Sequence, residues 1–259
     1  MIDVAVLGAT GNMGMEVVKA VTEDPELTLA GCVDASARGS RRTPEHPTCG
    51  IPVLDDVTRL DPSKIDAVVD FTVADAAVAN MMWALDNGVH AVVGTTGISE
   101  QAMRQIKLKA EGGRANVLIA ANFAIGAVMM MRFAEIAATV FDQCEVIEYH
   151  HRGKRDAPSG TAIATAVRVE RAMNSVPVPR AEQREITGTR GGKLGSVTIH
   201  SVRLDGFVAH QEVIFGAKGQ TLSIRHDSTD RTCFMPGVVM AVKAIAELPG
   251  LTIGLDSLL

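Results

Sequence analysis

Residues 2–21 read Ile2-Asp-Val-Ala-Val-Leu-Gly8-Ala-Thr-Gly11-Asn-Met-Gly14-Met-Glu-Val-Val-Lys-Ala-Val21, and this stretch decides the fold. Its first six residues are mostly apolar and predict a buried parallel strand, and the residues after Gly14 are typical of a helix. Between strand and helix, Gly8 allows a tight turn, Gly11 lets a ligand approach the backbone, and Gly14 lets helix and strand pack closely. This order predicts a β-α-β unit that binds a dinucleotide.

The alternation of strand and helix continues to about residue 122. A second strand at 27–33 ends at Asp34, whose carboxylate can accept hydrogen bonds from a ribose hydroxyl and would repel a 2′-phosphate. A turn-capping aspartate is the alternative for this position. Further strands end in small polar groups at 71–72, 94–96 and 120–122. Because ligands of an open parallel sheet bind outside the carboxyl ends of its strands, we predict the cofactor site there.

The pattern changes after residue 122. Strand-like runs at 196–203, 207–215 and 220–225 are joined by short glycine turns and predict an antiparallel meander. A last helix at 237–247 can return to the first domain. We therefore predict an α/β fold, with a Rossmann-type doubly wound parallel sheet and a second α+β domain whose mixed or antiparallel sheet serves oligomerisation. The dinucleotide-binding domain is predicted at 1–122, joined by 232–259, and the substrate-binding and oligomerisation domain at 123–231.

Residues 148–161 read Glu148-Tyr-His-His-Arg-Gly-Lys-Arg-Asp-Ala-Pro-Ser-Gly-Thr161. Histidines and cations are crowded here at the end of a predicted strand, and like charges repel one another unless an anion binds. A helix is predicted to begin directly afterwards, and its first amides offer a second means of binding an anion. We therefore predict a site for an anionic ligand. A solvated basic loop is the alternative.

Composition excludes several other classes of function. The net charge of −5 and the aromatic content of 3% are unlike those of a nucleic-acid-binding protein. The cysteines (Cys32, Cys49, Cys144, Cys233) lack the spacing of a metal site or a disulfide framework, and Cys32 and Cys144 are expected to be buried free thiols. No apolar run is long enough to span a membrane, and no signal sequence is recognised. A reduced, soluble, cytoplasmic protein without a metal is expected.

The polar segment 35–50 is predicted to be an exposed loop, with His46 and Cys49 as surface residues. Three arginines on it, Arg38, Arg41 and Arg42, could reach a 2′-phosphate. Cofactor choice between NADH and NADPH therefore stays open, although Asp34 favours NADH.

Taken together, these motifs resemble the dihydrodipicolinate reductase family over nearly the whole chain. The resemblance is carried by Gly8-Ala-Thr-Gly-Asn-Met-Gly14, Asp70-Phe-Thr72, Gly94-Thr-Thr-Gly97, Ala121-Asn-Phe123, the 148–161 stretch and His200-Ser-Val-Arg203. The run His-His-x-x-Lys-x-Asp-Ala-Pro-Ser-Gly-Thr is the most specific of them. One departure is Ala35, which stands where some members have an arginine, and this weakens the case for a 2′-phosphate.

The resemblance implies an oxidoreductase that reduces 4-hydroxy-tetrahydrodipicolinate, a small cyclic dicarboxylate, with NADH or NADPH in lysine and diaminopimelate biosynthesis. It implies His150 and Lys154 as catalytic proton donors, and a substrate carboxylate site at His151, Ser159, Gly160 and Thr161. It also implies a homotetramer built through the second sheet. The implied cofactor-binding residues are Gly8, Ala9, Thr10, Gly11, Asn12, Met13, Asp34, Phe71, Gly94, Thr95, Thr96, Ala120, Ala121, Asn122 and Phe123.

Two other functions are compatible with the first domain. One is a different nicotinamide-dependent enzyme acting on an amino or keto dicarboxylate, such as an aspartate dehydrogenase; the intact His-His-x-x-Lys run opposes it. The other is a nucleotide-sensing module that has lost catalysis; the presence of both His150 and Lys154 opposes that. Arg231 follows the last predicted strand, and the sequence leaves open whether it contacts a ligand.

Overall fold

The computed structural model describes residues 1–38, 45–47, 49–173 and 188–259. These residues form two compact units, Met1–Phe123 with Phe234–Leu259, and Ala124–Cys233. The strands are, in chain order, β1 Ile2–Leu7, β2 Leu27–Val33, β3 Val53–Leu54, β4 Ala67–Asp70, β5 His90–Val93, β6 Val117–Ile119, β7 Gln143–His150, β8 Gly192–Leu194, β9 Val197–Arg203, β10 Ala209–Ala217, β11 Gln220–Ser228 and β12 Leu251–Ile253.

The α-helices are α1 Asn12–Glu23, α2 Ala74–Asn87, α3 Glu100–Glu111, α4 Ile125–Ala138, α5 Gly160–Ala172 and α6 Met235–Ala244. Their ends follow local signals. Ser99 accepts a hydrogen bond from the Ala102 amide at 3.2 Å and caps α3. Gly88 ends α2 with a φ of +73°, in the left-handed region that favours glycine. In the part of the chain described, no helix combines the length and apolar character that crossing a membrane requires.

The first unit is built on a seven-stranded parallel sheet with the order β12-β6-β5-β4-β1-β2-β3. Strand β1 lies inside the sheet, paired with β2 on one side and with β4 on the other. The cores of β1, β4 and β5 are fully buried, as expected for a sheet covered on both faces. The predicted doubly wound Rossmann-type sheet is confirmed, and its switch point lies between β1 and β4. The last strand, β12, extends the sheet beside β6.

The second unit contains a five-stranded mixed sheet with the order β11-β10-β7-β9-β8. Strands β10 and β11 form the predicted antiparallel hairpin. The prediction that β9 continues a meander with them is wrong, because β7 lies between β9 and β10 and pairs with β9 in parallel. Short turns between consecutive strands give the order of the strands along the chain, but not their order in the sheet. The middle strand of this sheet is β7, in which Cys144 and Val146 are buried. This pairing places Arg203 opposite His150 in register.

Cys32 and Cys144 are buried free thiols, as predicted. Burial raises the pKa of each thiol to about 12, so neither is a thiolate at neutral pH. The prediction for His46 is wrong: it is 1% exposed, and its Nε2 lies 2.9 Å from the carbonyl oxygen of Ala9 in the glycine-rich turn. The polar sequence around His46 gives no sign of this contact, because Ala9 is 37 residues earlier in the chain. Cys49 is partly buried, while Arg41 and Arg42 lie outside the described residues.

Candidate active site

The glycine-rich turn between β1 and α1 is shaped by backbone contacts. Gly8 has a φ of +74°, and its amide donates to the carbonyl oxygen of Val33 at 2.9 Å. A Cβ on Gly14 would lie 2.0 Å from the carbonyl oxygen of Gly8. The N-cap of α1 is Gly11, and no side chain caps this helix end. The first amides of α1 are therefore available to an anion such as a pyrophosphate.

Gly14→Ala tests the tight contact in this turn. The added methyl group would meet backbone atoms that cannot rotate away, so we expect a loss of about 1–3 kcal/mol in the free energy of unfolding and weaker NADH binding. Urea unfolding and NADH fluorescence titration measure the two effects. Gly112→Ala is the matched control, because its Cβ would meet Leu108 at an ordinary 3.6 Å. Equal stability and equal NADH affinity in both variants would contradict this account.

Asp34 connects the end of β2 to the glycine-rich turn. Its carboxylate accepts from the amide of Thr10 at 3.0 Å and from the amide of Ser36 at 2.9 Å. Partial burial acts to raise the pKa of Asp34, but these hydrogen bonds outweigh burial and hold the pKa below its usual value. The turn-capping role is thus present in the structure, and the ionised carboxylate keeps lone pairs for further donors. Arg38, four residues on, is exposed and lies 3.8 Å from Asp56.

The ends of β4 and β5 are joined by a polar network. Asp70 is fully buried and accepts from the Thr72 amide at 2.7 Å, from the Thr72 hydroxyl at 2.6 Å and from Asn80 at 2.7 Å. The Thr95 hydroxyl then donates to the Thr72 carbonyl at 2.9 Å. Burial raises the pKa of Asp70. Asp70 and Asn80 therefore support the strand ends, a role that sequence analysis missed although a charged residue in a buried strand was a signal for it.

The predicted cofactor residues lie at the carboxyl edge of the first sheet, but they differ in how they can reach a ligand. The side chains of Ala9, Thr95, Ala120 and Phe123 are buried, so these residues can offer only backbone groups. Partly or largely exposed are Gly8, Thr10, Gly11, Asn12, Met13, Asp34, Phe71, Gly94, Thr96, Ala121 and Asn122. The Phe71 ring packs against Phe123 with centroids 5.7 Å apart. It also fills the space beside Gly94, where a Cβ would lie 2.1 Å from the ring.

In the second unit, His150 at the end of β7 is held by a buried carboxylate. Its Nδ1 lies 2.5 Å from Oε2 of Glu148. The Arg203 guanidinium donates to both carboxylate oxygens of Glu148, at 2.7 and 2.8 Å. Burial acts to raise the pKa of Glu148, but the hydrogen bonds from His150 and Arg203 outweigh it and lower this pKa to about 2. Glu148 is therefore an ionised acceptor at neutral pH. Sequence analysis did not assign a role to Glu148 or Arg203, although both stand in the quoted motifs.

The basic loop after His150 is partly neutralised. Lys154 Nζ lies 2.8 Å from Oδ1 of Asp156, and its amide donates to the His151 carbonyl at 3.1 Å. Asp156 and Glu148 offset part of the positive charge here, so the mutual repulsion among the cations is weaker than their spacing in the sequence predicts. His151, Arg152 and Arg155 are exposed. An incoming anion would meet these three cationic or titratable side chains first.

Helix α5 begins beside this loop. Ser159 is 3% exposed; its hydroxyl accepts from the Ala162 amide at 3.2 Å, and its own amide donates to Oε1 of Glu148 at 3.2 Å. A ligand contact through the Ser159 side chain does not fit this geometry. Gly160 and Thr161 form the first turn of α5, and a Cβ on Gly160 would meet nothing within 4 Å. The open surface at this helix start is therefore at Gly160 and Thr161.

Dinucleotides bind at the switch point of a doubly wound sheet, and a titratable histidine and lysine can supply protons to a reacting group. The class that this fold and these two clusters define is the nicotinamide-dependent oxidoreductases. Within the described ranges, no group of three His, Cys, Asp or Glu side chains is arranged to hold a metal ion. A model of the dihydrodipicolinate reductase N-terminus matches residues 2–123, and a model of its C-terminus matches residues 126–259. The chain belongs to the dihydrodipicolinate reductase family.

Individual relatives agree with the family models. A 4-hydroxy-tetrahydrodipicolinate reductase of Mycolicibacterium smegmatis is 46% identical over 259 residues, covering 99% of this chain and 98% of that protein. One from Corynebacterium urealyticum is 44% identical, covering 100% and 99%. The structure of dipicolinate-bound dihydrodipicolinate reductase from Paenisporosarcina sp. TG-14 is 35% identical, with full coverage of both chains and a TM-score of 0.89. An aspartate dehydrogenase from Thermotoga maritima, at 12% identity and a TM-score of 0.51, shares the fold alone.

Proposed function

We propose that the chain reduces 4-hydroxy-tetrahydrodipicolinate to tetrahydrodipicolinate with NADH or NADPH, in lysine and diaminopimelate biosynthesis. The observation that carries this proposal is His150 held by an ionised, buried Glu148, next to Lys154 and the open start of α5. We further propose that residues 1–122 with 232–259 bind the cofactor, and that 123–231 bind the substrate and build a homotetramer in the cytoplasm.

The glycine-rich turn fits a dinucleotide. The uncapped start of α1 at Gly11 suits a pyrophosphate, and Asp34 suits a ribose hydroxyl. Backbone groups of Ala9, Thr95, Ala120 and Phe123 and the exposed atoms of Asn12, Thr96 and Asn122 complete the proposed cofactor site. When bound, the nicotinamide supplies a hydride.

Residues of the second unit supply the protons and hold the substrate. Loss of the 4-hydroxyl group and a ring proton as water gives a C=C bond conjugated with the imine. Addition of hydride to that bond leaves negative charge that needs a proton, and His150 is the proposed donor. Lys154 donates a hydrogen bond to the ring nitrogen; its ammonium group has three hydrogens, so it can do this while it stays paired with Asp156. His151 and the amides of Gly160 and Thr161 hold a substrate carboxylate, with charged hydrogen bonds contributing about 1.5–3 kcal/mol each. Ser159, buried beneath, orients that helix start.

NADH oxidation tests the proposed function, followed by absorbance at about 340 nm, where the reduced nicotinamide absorbs. The substrate is generated in situ from aspartate semialdehyde and pyruvate. Turnover that depends on both compounds is expected. Tight NADH binding without turnover would instead indicate the nucleotide-sensing module. Reduction of NAD+ with aspartate, or oxidation of NADH with a keto acid and ammonia, would indicate the other dehydrogenase.

Asp34→Ala is expected to raise the ratio of kcat/KM for NADPH over NADH about tenfold, equivalent to about 1.4 kcal/mol. The reason is that the variant removes a negative charge that would repel a 2′-phosphate and an acceptor for a ribose hydroxyl. Because Asp34 also caps the turn at Thr10 and Ser36, Asp34→Asn is the matched variant: it removes the charge and keeps an acceptor oxygen. An unchanged ratio in both variants would show that Asp34 does not lie at the ribose.

A further inference from the structure

Glu148 occupies a position on β7 where an apolar side chain is expected. Alternate residues of the strand, Cys144 and Val146, are 4% and 0% exposed and face the core, and Glu148, next in this alternation, is 0% exposed. A charged group is unfavourable in such a place unless it is paired and hydrogen-bonded. The buried Glu148 carboxylate must therefore be stabilised by nearby donors and cations.

Both oxygens of this carboxylate are occupied by donors from separate elements. Oε1 accepts from Arg203 Nη2 at 2.7 Å and from the Ser159 amide at 3.2 Å. Oε2 accepts from Arg203 Nη1 at 2.8 Å and lies 2.5 Å from His150 Nδ1. Two-point pairing with a guanidinium fixes the plane of the carboxylate, because both oxygens are held in one geometry. The Glu148 carboxylate consequently presents a rigid acceptor to the imidazole of His150.

We propose that Glu148, held in place by Arg203, is a positioning residue that keeps a proton on Nδ1 of His150 and leaves Nε2 as the nitrogen that exchanges a proton with substrate. This inference rests on the proposed function for its reaction. An ionised carboxylate can only accept a hydrogen bond, so Nδ1 of the facing imidazole must carry the hydrogen. The ring orientation is thereby set before substrate binds.

The same pair connects the other groups proposed for the reaction. Arg203 Nη2 also donates to the carbonyl oxygen of Asp156 at 2.7 Å, and the Asp156 side chain pairs with Lys154. Glu148 meanwhile accepts from the amide of Ser159, which caps α5. The Glu148–Arg203 pair therefore connects His150, the start of α5 and, through Asp156, Lys154. This connection explains why a buried ion pair stands at the end of β7.

Glu148→Gln tests the inference by keeping the shape of the side chain and removing its charge. We expect kcat to fall about 10²–10³-fold, within the range for lost proton transfer, with KM changed much less. The alkaline limb of the pH profile of kcat/KM should also move to lower pH, because the protonated ring loses its counter-charge. The charged groups on the paired strands are Glu148 on the strand of His150 itself and Arg203, its register partner on β9, while the register partner on β10 is Ala209. The loop that follows His150 carries the titratable and charged residues His151, Arg152, Lys154, Arg155 and Asp156.

Glu145→Gln is the matched control. Glu145 is on the same strand and pairs with His200 at 2.8 Å and Arg190 at 2.7 Å, which are the same types of partner outside the proposed site. Its kcat should stay within about twofold of wild type, with an unchanged pH profile. A Glu148→Gln enzyme with the kcat and pH profile of the Glu145→Gln enzyme would overturn the inference.

Histidine side-chain ¹⁵N spectra of the wild-type protein give a readout that is independent of turnover and of the folding of Glu148→Gln. The His150 signals are assigned with His150→Asn, and the spectra are recorded above the pH at which the ring loses its charge. A hydrogen on Nδ1 supports the inference, and a hydrogen on Nε2 overturns it. Absence of turnover in the wild-type protein would refute the proposed function and leave this tautomer measurement to decide the position of the proton.

Discussion

Replacing His150 by alanine is expected to lower kcat about 10²–10⁴-fold, and Lys154→Ala is expected to do the same. His150 supplies the proposed proton, and its ring is held by Glu148 at 2.5 Å. Lys154 is the only lysine of the 148–161 stretch, and its amine already lies beside a carboxylate, that of Asp156. Steady-state assays of NADH oxidation with saturating substrate measure both effects.

His200→Ala is the control for these two variants, because this histidine is on the same sheet and is paired with Glu145 outside the proposed site. Its kcat should stay near the wild-type value. NADH affinity of all three variants should be unchanged, since none of these residues belongs to the first sheet. Near wild-type rates in both His150→Ala and Lys154→Ala would remove the proposed roles of these residues.

Arg203→Leu is expected to lower the free energy of unfolding by about 3–5 kcal/mol at neutral pH, because it leaves the buried Glu148 carboxylate without its cation. Urea unfolding measures the loss. Arg190→Leu is the control: its partner Glu145 is 37% exposed, and such a pair contributes about 1 kcal/mol or less. Equal losses in the two variants would show that the Glu148–Arg203 pair does not stabilise the second unit.

The same pair predicts how stability depends on pH. The pKa of Glu148 is lowered from 4.5 to about 2 in the folded protein, so the folded state favours the ionised form. Its contribution, about 3 kcal/mol, is fully present above pH 4.5 and is lost as the pH falls to about 2. The double variant Glu148→Gln with Arg203→Leu should lose this part of the acid dependence. If the free energy of unfolding of the double variant fell with decreasing pH as steeply as that of the wild type, the loss of stability in acid would come from other carboxylates.

Elements defined by neighbouring residues were predictable. The limits of β1 and β2 follow from short apolar runs, and the start of α3 follows from Ser99 as its cap. The glycine-rich turn was predictable for the same reason, since Gly8, Gly11 and Gly14 act on backbone atoms a few residues away. Caps, turns and burial periodicity are local interactions, which a single sequence displays directly.

Contacts between distant segments were not predictable. Nothing near His46 in the sequence indicates that it reaches Ala9, and three strand-like runs did not show that β7 lies between β9 and β10. The hydrogen bond from the Ser159 amide to Glu148 likewise joins a helix start to a strand residue eleven positions earlier. Such contacts depend on how strands are ordered in a sheet, which the periodicity of each strand does not contain.

The sequence by itself determined the class of fold, the glycine-rich turn and the run of residues from Glu148 to Thr161 that holds the proposed chemistry, because each of these depends on residues adjacent in the chain. Only the tertiary structure decided which partners the charged residues of that run have. Parallel pairing of β7 with β9 brings Arg203 to Glu148 across 55 residues, and this contact turns a buried carboxylate into a fixed acceptor for His150. The physical reason is that a charge becomes tolerable inside a protein only through partners that the folded sheet supplies.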